Sequence, residues 1–139
     1  MTQTVNLNDY QTFVKSTISP PSSNFGQLIY RLHELEETSC ALNVKIPELM
    51  TAANGLGAEA GEFTEIVKKI VFQGKPLDED NIYHLKRELG DILWYASVAA
   101  TALNITLDDA IVMNVEKLSA RYPEGFDIIK SEVRVDGDI

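Results

Sequence analysis

An all-α helical bundle with short loops is the fold this sequence predicts. Apolar residues recur at helical spacing along most of the chain. Proline, glycine and cap residues punctuate them, and no set of alternating runs adequate for a sheet appears. The 139 residues, 45% apolar and 24% charged, suit one domain. Such a chain buries roughly two-thirds of its unfolded surface and needs no covalent staple.

Asn8 is expected to cap a first helix with Tyr10, Phe13, Val14 and Ile18 on one face. Pro20 and Pro21 end it, and residues 22–24 read as a loop. A second helix starts near Phe25, carries Leu28, Ile29, Leu32 and Leu35 as its stripe, and fades over 38–43. Pro47 suits the first turn of a third helix running to Phe72, with Gly74 as a left-handed cap and Pro76 beyond. Gly55, Gly57 and Gly61 lie within it and suggest close helix packing or a break in its first half. A fourth helix opens near 78–80 and runs to about Leu103, with Asn104 as its stop. Thr106 and Asp109 make a capping-box variant that opens a fifth, ending at Tyr122 and Pro123. The acidic tail, 124–139, is expected to be non-helical, an extended arm or a short hairpin.

The formal net charge of −9 argues against nucleic acid as a partner, because duplex phosphates are repelled. It does not exclude a phosphate ligand that arrives with divalent metal. One cysteine, Cys40, allows no intrachain disulfide and fits a reducing compartment. No secretory start and no membrane-length apolar run are visible, so a cytoplasmic location without a membrane partner is expected.

Two carboxylates fall where apolar side chains are expected. Projected at about 100° per residue, Leu56, Phe63, Ile66 and Ile70 lie within about 60° of Glu59, and Glu62 flanks that stripe. Leu85, Ile92, Tyr95 and Ala99 surround Glu88 in the same way, with Asp91 flanking. Both helices carry apolar residues at −3, +4 and +7 from the inward Glu, an acid at +3 and glycine (Gly61, Gly90) at +2. Facing each other, they bring four carboxylates to one pocket. Unpaired buried carboxylates are costly, so protonation, basic partners or metal must relieve them. Oxygen-only donors favour a hard cation, Mg²⁺ or Mn²⁺. A di-iron site would want Glu-x-x-His, and neither His33 nor His84 has that spacing. The competing reading pairs Glu59 and Glu88 with Lys68, Lys69 or Lys86, or leaves them solvated at a helix edge.

On the fifth helix Asn114 lies between Leu107, Ile111 and Leu118, with Lys117 and Arg121 flanking. An amide beside two cations suits a phosphate or sugar. A satisfied core asparagine with a solvated basic edge is the alternative.

GLGAEAGEFTEIVKK, KRELGDILWY and NVEKLSARYP together resemble the MazG-like branch of the all-α nucleoside triphosphate pyrophosphohydrolases. The motif is Glu59-x-x-Glu62, then 25 residues, then Glu88-x-x-Asp91. The likeness covers 47–123 as a motif core within one domain, 1–139, and the compact form is similar to phage-encoded members. It implies hydrolysis between the α- and β-phosphates of a (d)NTP, giving monophosphate and pyrophosphate, with Mg²⁺ held by Glu59, Glu62, Glu88 and Asp91. Glu65 either orients or deprotonates the attacking water or is a solvated charge. Lys117, with Asn114 and Arg121, is expected to meet phosphate oxygens. Trp94, Tyr95, Tyr30 and His33 are candidates for holding base and sugar, though each also suits a core or interface. A homodimer or homotetramer is expected, since so few helices cannot enclose the pocket alone. For a phage-encoded chain the location is the host cytoplasm. A nucleotide sensor without turnover, or a helical interaction module, is the alternative function.

Overall fold

The computed structural model describes residues 6–133 and contains seven helices and no strand among them. The all-α expectation holds. Backbone contacts divide the chain into two units, 1–42 and 43–139.

The first unit holds α1 (Leu7–Thr17), α2 (Pro20–Ser23) and α3 (Phe25–Leu42). Asn6, not Asn8, caps α1. Its side chain accepts from the Asn8 amide at 3.0 Å. Pro20 and Pro21 do end α1, but the expected loop after them is a single helical turn. Proline at the first helical position has no amide to leave unpaired, so it both stops one helix and starts the next. The turn packs on α3. No residue of α1 is buried.

The second unit holds α4 (Ile46–Phe72), α5 (Glu79–Ala102), α6 (Leu107–Arg121) and α7 (Ile128–Glu132). The α4–α5 pair is its centre. Pro47 stands in the first turn of α4 and Gly74, at φ 73°, follows its end. The helix is continuous through its three internal glycines, so close packing rather than a break explains Gly55. Asp78 caps α5 by accepting from the Asn81 amide at 2.9 Å. The Lys45 amide donates to the Ala102 carbonyl at 2.9 Å and ties the start of α4 to the end of α5. Asn104, at φ 57°, turns the chain into α6. The Thr106–Asp109 capping box is formed in both directions, at 2.9 and 3.1 Å.

The tail departs from expectation. Residues 128–132 form a helix, not an extended arm or hairpin, with the Asp127 carboxylate accepting from the Lys130 amide at 2.9 Å. The Asp127 cap is the local signal, and such a cap offsets the missing first-turn hydrogen bonds. Residues 134–139 lie outside the described part.

The buried apolar residues among those described are alanines, Ala52, Ala100 and Ala102. Small residues let helices approach but bury little apolar area each. Larger side chains face outward: on α6, Ile111, Val112, Met113 and Val115 are each more than half exposed.

Candidate functional site

The acids predicted to face inward meet where α4 and α5 pack. Glu59, Glu88 and Asp91 each offer a carboxylate oxygen, and these oxygens all lie within 4.8 Å of one another. Glu59 and Glu88 are half-buried and Asp91 is exposed, as expected for two stripe positions and one flank. The cause is periodicity. A residue at 59 shares its helix face with Leu56, Phe63, Ile66 and Ile70, so burying those side chains carries the carboxylate inward.

Partial burial raises the Glu59 carboxyl above its ordinary value, helped by the charges of Glu62, Asp91 and Glu88 and by a hydrogen bond with Glu88. Glu62 is exposed one turn along α4 and acts on Glu59 through its charge. All four motif acids therefore act in one electrostatic neighbourhood, three of them with oxygens within 4.8 Å of one another. Among the described residues no ion pair joins Glu59 or Glu88 to a cation. Lys68 and Lys69 are engaged elsewhere: both bind Glu65, Lys69 Nζ at 3.0 Å from Oε1. Hydrogen bonds from Lys68 and Lys69 hold the Glu65 carboxyl below its ordinary value. The lysine-pairing alternative for the inward glutamates thus finds no support.

This donor set fits a hard divalent cation. It offers carboxylate oxygen without sulfur or imidazole, and three close negative charges that a cation relieves. A single protonation, at Glu59, would relieve the cluster only in part.

The remaining candidates are placed as follows. Asn114 is exposed on α6, which removes its core reading, and Lys117 is exposed one turn later on the same helix. Arg121 is half-buried at the end of α6, its guanidinium 5.8 Å from the Tyr122 ring centroid. Trp94 is exposed and meets Tyr95 edge to face, ring centroids 4.8 Å apart at 86°. Tyr95 is half-buried, with its ring against the backbone of Gly55. Tyr30 and His33 belong to the first unit, where His33 Nδ1 lies 3.7 Å from Glu36.

Gly55 is the residue whose role was not singled out from sequence. It is buried, and a Cβ built on it would overlap Cδ1, Cε1 and Cζ of Tyr95. Gly57, Gly61 and Gly90 would each accept a Cβ into open space. The available signal was register: Gly55 stands four residues before Glu59 on the inward face, whereas Gly61 and Gly90 do not.

Residues 48–126 match the MazG nucleotide pyrophosphohydrolase domain. The Gene 37 protein of Mycobacterium phage L5 is 36% identical over 72 residues, a stretch covering 51% of this chain and 63% of that protein. The likeness to phage-encoded members is in line with that relative. No solved structure gives a significant match. The matched segment contains both acid pairs, all of α5 and all but the first two residues of α4, and the chain belongs to the MazG nucleotide pyrophosphohydrolase family.

Proposed function

We propose that the chain is a Mg²⁺-dependent pyrophosphohydrolase that cleaves a nucleoside triphosphate between its α- and β-phosphates. The products are a nucleoside monophosphate and pyrophosphate. The observation that carries this reading is the gathering of Glu59, Glu88 and Asp91 oxygens within 4.8 Å, inside the segment that matches the family.

Bound Mg²⁺, with Mn²⁺ as substitute, supplies charge neutralisation of the triphosphate and activation of water. Glu59, Glu88 and Asp91 hold it, and Glu62 completes the acidic neighbourhood from the next turn of α4. A carboxylate of this cluster accepts the water proton. The lysine clamp on Glu65 favours an orienting role for that residue over proton acceptance, because a carboxylate held at low pKa is a weak base. Lys117 and Asn114, with Arg121, meet phosphate oxygens as negative charge develops on the leaving pyrophosphate. Trp94, exposed beside the α4–α5 pair, offers a surface for the base.

The outward apolar side chains of α6 support assembly into a homodimer or homotetramer, since a surface this apolar favours burial against another chain. Among the described residues no single helix is long and apolar enough to cross a membrane. The host cytoplasm, where nucleotides are found, is the location this function requires.

The decisive experiment is incubation with a dNTP mixture and Mg²⁺, with product identification. Monophosphate and pyrophosphate are expected, with no turnover in excess chelator. Orthophosphate and nucleoside diphosphate as first products would reject α–β cleavage. A nucleotide-induced rise in melting temperature without turnover would identify a sensor instead.

A further inference from the structure

One contact beside the acid cluster joins two residues that are not among its four acids. Gly55 and Tyr95 meet between the same two helices, and the Tyr95 ring occupies the space a side chain at 55 would need. Gly55 is four residues before Glu59, and Tyr95 is four after Asp91. Because 59 faces 88 and 91 while 55 faces 95, α4 and α5 run antiparallel, and the ring stands one turn, about 6 Å, along the pair from the acids. An aromatic ring is rigid, and backbone without a side chain is the thinnest surface a helix can offer. The same ring meets Trp94 edge to face, with 4.8 Å between centroids.

We infer that Gly55 and Tyr95 form a spacer that sets the separation of α4 and α5 at the acid cluster, and so selects a small divalent cation over a larger one. The inference rests on the metal reading above and extends it to two positioning residues that touch no ligand through this contact. Mg²⁺ demands near-octahedral oxygens at about 2.0–2.1 Å, whereas Ca²⁺ accepts about 2.3–2.6 Å and irregular geometry. A methyl group at 55 must push the ring, and with it α5, away from α4. Glu59 on one helix and Glu88 and Asp91 on the other then separate. The smaller ion, with the stricter geometry, loses most.

Calorimetric titration of the nucleotide-free protein with MgCl₂ and, separately, CaCl₂ tests this. Gly55→Ala is expected to lose about tenfold or more in Mg²⁺ affinity, the scale of residues that orient metal ligands, and much less in Ca²⁺ affinity. Tyr95→Phe keeps the ring atoms that face Gly55 and should retain the parent's Mg²⁺-to-Ca²⁺ ratio. Adding Tyr95→Leu to Gly55→Ala makes room for the methyl and should recover most of that ratio. If Gly55→Ala does not fold, Tyr95→Leu alone serves: removing the rigid spacer should weaken Mg²⁺ more than Ca²⁺. An unchanged ratio in whichever of these two variants folds overturns the inference, as does equal loss of both ions, which marks general loosening. A parent that binds neither ion removes the metal reading itself, a result distinct from a parent that binds Mg²⁺ and a variant that binds it equally well.

Discussion

At the scale of single residues, Glu59 carries the clearest conflict between function and stability. It sits half-buried among like charges with no cation in the described structure to balance it. Glu59→Gln removes one charge at nearly constant shape. In chelator the variant is expected to melt no lower than the parent, and it should lose most of the Mg²⁺-induced rise and most activity. The pH dependence has a defined sign. The folded chain holds the Glu59 proton more tightly than the unfolded chain does. That contribution is complete below the ordinary carboxylate value and is lost as pH rises through the raised value. Metal-free parent should therefore lose stability relative to Glu59→Gln across that window, which paired melting curves at several pH values would reveal. A parent indifferent to Mg²⁺ would remove the site.

Lys117 is a residue-scale case of the opposite kind, a cation with no structural duty evident among the described contacts. Lys117→Ala should leave Mg²⁺ affinity without nucleotide nearly unchanged. Turnover should fall by the equivalent of about 2–4 kcal/mol, the loss of one charge-assisted contact to a developing oxyanion. Steady-state rates beside a metal titration separate the two effects, and near-normal rates would leave Lys117 on a solvated edge.

At the scale of elements, α6 depends on its start. Thr106 and Asp109 satisfy amides that the first helical turn leaves unpaired, and hydrogen bonds from Thr106 hold the Asp109 carboxyl low. Thr106→Ala should cost about 1 kcal/mol, read as a melting temperature lower by a few degrees. A lowered acid stabilises above the ordinary carboxylate value and loses that effect as pH falls through the lowered value. The difference between parent and Thr106→Ala should therefore narrow in acid. The α4–α5 pair depends on a different device, the bare backbone at Gly55, and no cap compensates for its loss.

At the scale of the whole molecule, what faces outward matters most. Among the described residues the buried apolar ones are alanines and large side chains lie exposed along α6, which leaves much apolar area still to cover. Light scattering is expected to give two or four times 15.5 kDa. The melting temperature should rise with protein concentration, as mass action requires when assembly stabilises the fold. A monomer with a concentration-independent melt would contradict this.

Much of this was legible in the sequence, and the reason is local. Helical periodicity marked α3 to α6, Thr106 and Asp109 announced their capping box, and Gly74 marked the end of α4, because propensity, caps and turns act within a few residues. The inward glutamates were legible for the same reason: a 3.6-residue period assigns each residue a face before any partner is known. Boundaries set by competing short-range options were not. Pro20 and Pro21 served as the start of a turn as well as a stop, and residues 128–132 took a helix from one Asp cap. By itself, then, the sequence determined the long helices α3 to α6 and the faces that carry Glu59, Glu62, Glu88 and Asp91. Only the tertiary structure decided that three of these acids gather within 4.8 Å, that Lys68 and Lys69 hold Glu65 rather than the inward glutamates, and that Tyr95 lies on Gly55. Distances between helices depend on which side chains meet across the gap, and no periodicity within one helix specifies them.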